Sequence, residues 1–497
     1  MTLACILSLY TLLQSAAAGE LPPAAAEELP IWRGFNLQER FHRDWGPQGP
    51  YREEDFQLIS ELGFNFVRLP MDYRFWIIDD DWERIDDSAL EAIDDAIALG
   101  EQYGIHVMLN FHRAPGHTVA EPKEPVSLWE DAEAQRICAM HWKHFAERYR
   151  GIPNAQLSFN LFNEPYDVDE ATYAEVVTQI VTAIREADPE RLVVVDGLDW
   201  GVQPVPALQD LDVAQAGRGY MPHAVSHYNA SWVAGSENWP TPRWPIPTLG
   251  GGFLYGPMQS GLRSPLEIQS DFDHNLTLTV VVGKVSTHAR LALQIDGEEV
   301  ESHVFTPGPG EGPWKEVQYV AEYDIYQNIY DQAITFEIPA GARTVTLENA
   351  EGDWLTLKEI RIGDGETVYD QLEIFPQWAV PNDVLTFDSE TQQIITQQTQ
   401  DGDWLWDNYF QHWAALREAG VGVMVGEWGA HQHTPHDVTL RWMEDCLKAY
   451  KRAGMGWTLW NFRGSFGILN SKRTDVDYED FHGHQLDRKM LELLQRY

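Results

Sequence analysis

A chain of 497 residues with 44% apolar content can bury a large core and is long enough for two domains. Its formal charge of −42 repels nucleic acid and anionic membrane surfaces, which excludes both as partners and favours a neutral ligand. The 20 Trp, 19 Tyr and 20 Phe suit ligands with flat apolar faces, sugar rings among them, although a large core uses such rings too.

Met1 to Ala18 form an apolar run ending in Ala16-Ala17-Ala18. It reads as a secretory signal peptide with a small-residue cleavage site, so a secreted or periplasmic location is expected. No Lys or Arg precedes Arg33, which leaves an N-terminal anchor as the alternative, and the run is short for a membrane span. Residues 19–30, rich in Ala, Pro and Glu, read as a linker. Cys5 falls in the leader; Cys138 and Cys446 lie in helical patterns with no disulfide framework, and buried free thiols are expected.

From Ile31 onward apolar strands end in polar residues and amphipathic helices follow. The expected strands are Trp32–Asn36, Phe64–Pro70, His106–His112, Gln156–Glu164, Leu192–Asp196, Ala224–Tyr228, Gly422–Glu427 and Gly456–Asn461. The expected helices are Ser88–Tyr103, Trp129–Arg150, Thr172–Ala187, Trp404–Ala419, His436–Arg452 and Gln485–Gln495. Eight strands alternating with helices predict an α/β fold, a closed (β/α)8 barrel. One long interval after the sixth strand lacks helical period, and a structureless loop of that length is implausible. It reads instead as short strands, Leu276–Val282, Ala289–Ile295, Glu316–Tyr319, Ala333–Ile338, Thr344–Glu348 and Trp354–Ile362, parted by turn signals such as Asp296-Gly297. An all-β sandwich is therefore expected at 261–375, inserted between barrel parts 31–260 and 376–497.

Two carboxylates end apolar strands in this reading. Glu164 closes Leu157-Ser158-Phe159-Asn160-Leu161-Phe162-Asn163-Glu164-Pro165, where Pro165 has no N–H for the ladder. Glu427 closes Val423-Met424-Val425-Gly426-Glu427. The carboxyl-end rim of such a barrel carries its chemistry, and two glutamates there are the pair that glycoside hydrolysis needs.

With Phe66-Val67-Arg68-Leu69-Pro70, Asn110-Phe111-His112, Asn163-Glu164-Pro165, His227-Tyr228, Gly426-Glu427-Trp428-Gly429 and Thr458-Leu459-Trp460-Asn461-Phe462 in order, the chain resembles glycoside hydrolase family 5, the cellulase family. The likeness covers roughly 30–255 and 380–497. It implies Glu164 as acid/base and Glu427 as nucleophile. Asn163 would bond the sugar 2-hydroxyl, and Arg68 would keep Glu427 ionised, with a structural ion pair as the alternative. His112 and His227 would line the subsite, and Trp460 would offer a stacking face unless it serves core packing. The family commonly has a Tyr two residues after the His of strand six, touching the nucleophile. Here Asn229 holds that place and Tyr228 comes one earlier, so strand alternation turns Tyr228 away from His227 unless a bulge intervenes.

His431, His433 and His436, with His112 and His117, suggest metal ligands, but no Asp/Glu–His hydrolase pattern accompanies them, and a cleft-lining loop explains them more simply. Trp129, Trp232, Trp239 and Trp244 are candidate distal subsites or supports for the insert. The insert resembles carbohydrate-binding modules in general shape, and Trp314, Tyr323, Tyr326, Tyr330 and Trp354 are either sugar contacts or core. The expectation is a monomeric retaining β-glycoside hydrolase without a cofactor, acting on a neutral β-linked polysaccharide, foremost as an endo-β-1,4-glucanase. The alternatives are a β-1,3-glucanase of exo or endo action, to which His112-Arg113-Ala114-Pro115-Gly116 points, a β-mannanase, a sugar-binding barrel without activity, and a metal-dependent hydrolase.

Overall fold

A computed structural model describes residues 21–497, so the leader expected at 1–18 lies outside the described residues. Eight parallel strands form the barrel: Arg33–Asn36, Phe66–Asp72, His106–Ala114, Leu157–Asn160, Val193–Asp196, Ala214–Gly219, Val423–Trp428 and Gly456–Leu459. Strand one pairs with strand two at Gly34↔Phe66 and with strand eight at Gly34↔Thr458, which closes the sheet on itself. Strand two is buried at every position, as a parallel strand covered on both faces must be.

Two of the helices between them start where an aspartate satisfies the first free N–H groups. Asp131 accepts from Ala134 N at 2.8 Å to open Ala132–Arg148, and Asp169 accepts from Ala171 and Thr172 to open Glu170–Ala187. Helix Ala132–Arg148 then buries Trp142 flat against Phe111, with ring centroids 3.9 Å apart.

The barrel interior is divided by polarity. Ala26, Leu29, Trp32, Phe66, Met108, Val194, Ala216 and Met424 form an apolar cluster at the amino ends of the strands. Residues 21–30, expected as part of a linker, are thus packed at Ala24, Ala26 and Leu29, and Gly422 N bonds Ala26 O at 2.7 Å. At the carboxyl ends the buried residues are Asn36, Arg68, Asn110, Asn160, Asp196, Arg218 and Glu427.

Seven barrel strands lie where the pattern predicts them. The sixth is Ala214–Gly219 and not Ala224–Tyr228; His223–Ser226 is a helical turn. Strand six is polar and Gly-rich, and Gln215 is buried through two amide bonds to Val205, so apolar patterning could not reveal it. Helix Glu53–Glu61 was also not expected.

A second compact unit spans Arg243–Trp404, wider than 261–375. One six-stranded sheet holds Phe253–Tyr255, Trp354–Gly363, Leu276–Ser286, Ile325–Ile338, Tyr319–Val320 and Val368–Glu373. The other holds Glu298–Phe305, Ala289–Ile295, Thr344–Gly352, Leu266–Gln269, Leu385–Asp388 and Gln393–Ile395. Both feed one apolar core, through Leu278, Val280, Phe336 and Ile360 on one side and Leu291, Leu293 and Leu347 on the other. Cys138 and Cys446 are free and buried. Among the described residues no helix is long and apolar enough to cross a membrane.

Candidate active site

Strand four ends at Asn160, and buried Leu161, Phe162 and Asn163 carry the chain to Glu164. Trp142 Nε1 fixes this exit by donating to Leu161 O at 2.9 Å. Glu164 takes a left-handed backbone, φ 49°, which costs a non-glycine residue about 1 kcal/mol or more. Asp196, at the end of strand five, holds that turn by accepting from Glu164 N at 3.0 Å.

Glu427 lies inside strand seven. Arg68 Nη1 donates to its Oε1 at 2.6 Å, and the Tyr220 hydroxyl donates to its Oε2 at 3.1 Å. The remaining Arg68 bonds run to Asn36 Oδ1 at 3.0 Å, Asn160 Oδ1 at 2.9 Å and Asn163 Oδ1 at 2.9 Å. Every bond holds the guanidinium in one place, so Arg68 is both the counter-ion of Glu427 and the strut for Asn163.

Arg218 joins the two glutamates. Its Nε donates to Glu164 Oε1 at 2.9 Å, its Nη2 lies 3.4 Å from Glu427 Oε1, and Nη2 also bonds Asn163 Oδ1 at 2.8 Å and Asp196 Oδ2. The two carboxylates stand in different surroundings. Burial, then the charges of Glu427 and Asp196, push Glu164 up from 4.5 to about 7, against the pull of Arg218. Glu164 keeps 15% of its side chain exposed, while Glu427 keeps 3%. A carboxyl that holds its proton near neutrality, beside a carboxylate with two donors on it, has the parts of an acid and a nucleophile.

Asn163 gives its oxygen to both arginines, which turns its Nδ2 away from them; that Nδ2 and His112 Nδ1 are buried and have no partner in the protein. Such atoms suit the hydroxyls of a ligand. Burial and the nearby Arg68 and Arg218 charges hold His112 well below its usual range, so the ring is neutral. His112 stacks on Trp460 at 5.5 Å, and Phe41 packs against both rings.

The structure therefore brings Arg68, His112, Asn163, Glu164, Glu427 and Trp460 together. It does not bring Tyr228, whose hydroxyl meets Thr241 Oγ1 at 3.2 Å on the surface. His227 follows the short turn after strand six rather than ending a strand, and its ring sits behind Tyr220, 4.9 Å between centroids. Both displacements follow from the true position of strand six. The sequence reading missed Arg218, Tyr220 and Asp196. Asp196 ended a predicted strand at the rim, and Arg218-Gly219-Tyr220 reproduces the spacing of the family pattern with Arg in place of His.

The loop histidines are held by backbone carbonyls: His431 Nδ1 by Tyr228 O and His433 Nδ1 by Asn229 O. Among the described residues no group of three or more His, Cys, Asp or Glu is placed to hold a metal ion. Trp129 packs on His117, Phe162 and Tyr173, Trp244 is buried, and Trp232 is exposed beside His227, His431 and Phe466.

Residues 24–234 match the family profile described as Cellulase (glycosyl hydrolase family 5). Endoglucanase C of Acetivibrio thermocellus is 29% identical over 184 residues, 36% of this chain and 53% of that one. A probable glucan 1,3-beta-glucosidase A of Aspergillus fumigatus is 29% identical over 146 residues, 28% of this chain and 34% of that one. The chain thus spans about half the length of the endoglucanase, 53%, and less of the glucosidase. A crystal structure described as a glycoside hydrolase superposes with TM-score 0.61 and 26% identity, covering 94% of this chain and 99% of that one. Endoglucanase Cel5A of Thermotoga maritima, at TM-score 0.52 and 16% identity over 93% of this chain and 97% of its own, shares the fold.

Proposed function

This chain carries a glycosyl hydrolase family 5 domain, matched over residues 24–234, and from that premise we propose that it is a retaining β-glycoside hydrolase acting by double displacement. The observation that carries the reading is the pair Glu164 and Glu427, in contrasting surroundings and bridged by one guanidinium. In the first step Glu427 attacks the anomeric carbon while Glu164 gives its proton to the leaving oxygen. In the second, Glu164 takes a proton from water, which attacks the same carbon and releases Glu427. Arg68 and Tyr220 aim the Glu427 carboxylate, Asn163 Nδ2 meets the 2-hydroxyl, and Trp460 offers its face to the sugar ring.

The finer reading is an endo-acting β-1,4-glucanase, of which the endo action on a glucan is supported by the similarity to Endoglucanase C. The second reading, a β-1,3-glucan substrate, draws on the Aspergillus relative and on the stretch from His112 to Gly116. Within that stretch Arg113 ties the following loop through Glu124 and the carbonyls of Ala120 and Pro122, and His117 of this loop reaches Asn163 O at 2.7 Å. Hydrolysis of a polysaccharide panel, with product sizes and anomers followed by NMR, separates the two readings and tests retention. Glu427→Gln should abolish turnover on every substrate. Glu164→Gln should spare the first step with good leaving groups, and azide should rescue Glu164→Ala as a β-glycosyl azide. An α-azide product would reverse the two roles.

A further inference from the structure

Arg218 stands on strand six where the family pattern has a His, and its side chain is given room on both sides. A Cβ at Gly201 would lie 2.6 Å from Arg218 Cγ, and one at Gly426 would lie 2.8 Å from Arg218 Nη1. Its far anchor is Asp196, which itself accepts from Asn160 Nδ2 at 2.9 Å and from Glu164 N at 3.0 Å. A side chain cradled by two glycines and tied to a buried carboxylate has one place to be, and that place touches both members of the glutamate pair.

From these contacts we infer that Arg218 is a positioning residue for the acid/base half of the reaction, aiming Glu164 and holding its carboxylate once the proton has left. The inference rests on the double-displacement reading above. Before the first step Arg218 divides its charge among Asp196, Glu164 and Glu427. When Glu427 bonds the anomeric carbon its charge is lost, and Arg218 is left with Asp196 and the newly ionised Glu164. That exchange favours the carboxylate just when it must accept a proton from water. The cost falls on the first step, where the same guanidinium makes Glu164 a stronger acid that loses its proton at lower pH.

The other groups facing Glu164 act around this pair. Glu427 from strand seven and Asp196 from strand five oppose its ionisation. Arg68 from strand two lies 4.0 Å from Asp196, and Tyr220 stands beyond strand six with its hydroxyl on Glu427. His112 and His117 are both held well below their usual range by burial and contribute no charge.

The test is the alkaline limb of kcat/KM against pH for the full chain, on aryl β-glycosides of good and poor leaving groups. Arg218→Gln should move that limb upward by about one unit or more, the size of an arginine's pull on a neighbouring carboxyl. Arg218→Lys should leave the limb near its original place, because the charge stays. It should lose about tenfold or more on poor leaving groups than on good ones, because the fork that aims Glu164 is gone. A substrate-free readout runs beside it: the Glu164 carboxyl, observed by carbon-13 NMR and assigned through Glu164→Gln, should show the same upward shift in Arg218→Gln. If that titration is unmoved, or if Arg218→Lys slows good and poor leaving groups equally, Arg218 only supports the fold and the inference is overturned. An enzyme inactive on every glycoside that still shows the NMR shift would instead sink the hydrolase reading and leave the Arg218–Glu164 coupling standing.

Discussion

A carboxyl buried beside two other carboxylates resists ionisation, and at Glu164 this is a statement about stability as well as chemistry. Its folded value of about 7 lies above the ordinary 4.5. The associated stability is therefore present below about pH 4.5 and lost as pH rises through about 7. At 1.36 kcal/mol per unit the gap amounts to about 3 kcal/mol at most, since Glu164 keeps some contact with solvent. Glu164→Gln, uncharged at every pH, should thus be more stable than the parent at about pH 8, with the advantage shrinking toward about pH 5. Urea unfolding at the two pH values reads this directly, and equal stability at both would mean that the carboxyl titrates normally. A second contrast separates two tyrosines. Tyr220→Phe removes a hydrogen bond to the Glu427 carboxylate, and kcat should fall about tenfold or more. Tyr228→Phe removes only a surface bond to Thr241, and kcat should hold.

Among the elements, those whose apolar run is interrupted at a single polar end could be read in advance. Strands two, three, four and seven are continuous buried runs, and Glu164 and Glu427 stood out because each follows a mainly apolar stretch in the sequence, although strand four stops at Asn160 and strand seven continues to Trp428. Strand six could not be read that way, because Gln215 and Arg218 are buried by specific partners rather than by apolar character. With it went Arg218 and Tyr220, which displaced the expected site role onto Tyr228. Strand Glu298–Phe305 was hidden for another reason: it is an edge strand, exposed on nearly every residue, and carries no alternation. Residues 24–30 look like a linker by composition, yet Ala26 and Leu29 are small enough to close the foot of the barrel. Where packing is made by large apolar groups the energetic consequence is equally readable. Trp142 is fully buried, stacked on Phe111 and bonded to Leu161 O, so Trp142→Ala should cost about 3–5 kcal/mol. Asp131→Ala, which removes the cap of the same helix, should cost about 1 kcal/mol. Denaturant midpoints of the two variants check the order, and a larger loss for the cap would contradict the packing argument.

At the scale of the molecule the second unit has its own core, and the segments near its two ends pair with each other. Ile246 pairs with Gln400 and Thr248 with Gln398, antiparallel, so the chain enters and leaves the unit side by side. A unit joined in this way can be replaced by a short connection without stretching the flanking chain. It presents Trp378. That ring is 53% exposed and stands edge-on against Phe253, Tyr255 and Trp354, which fix its orientation. A rigid, exposed indole is a surface on which a sugar ring can stack, whereas Trp354 and Tyr330, singled out in the sequence, are core. Replacing residues 243–404 with a Gly/Ser linker should leave activity on small aryl glycosides nearly intact, once cooperative unfolding of the shortened chain is shown. Activity on long glucans should fall, because a polymer can use binding contacts beyond its reacting bond and a small aryl glycoside cannot. Trp378→Ala in the full chain should reproduce part of that fall, with KM on polymer rising and kcat on aryl glycosides unchanged. Equal loss on small and large substrates in a well-folded deletion would mean that the unit builds the reactive subsite, and no loss on either would mean that it does not hold polymer at all.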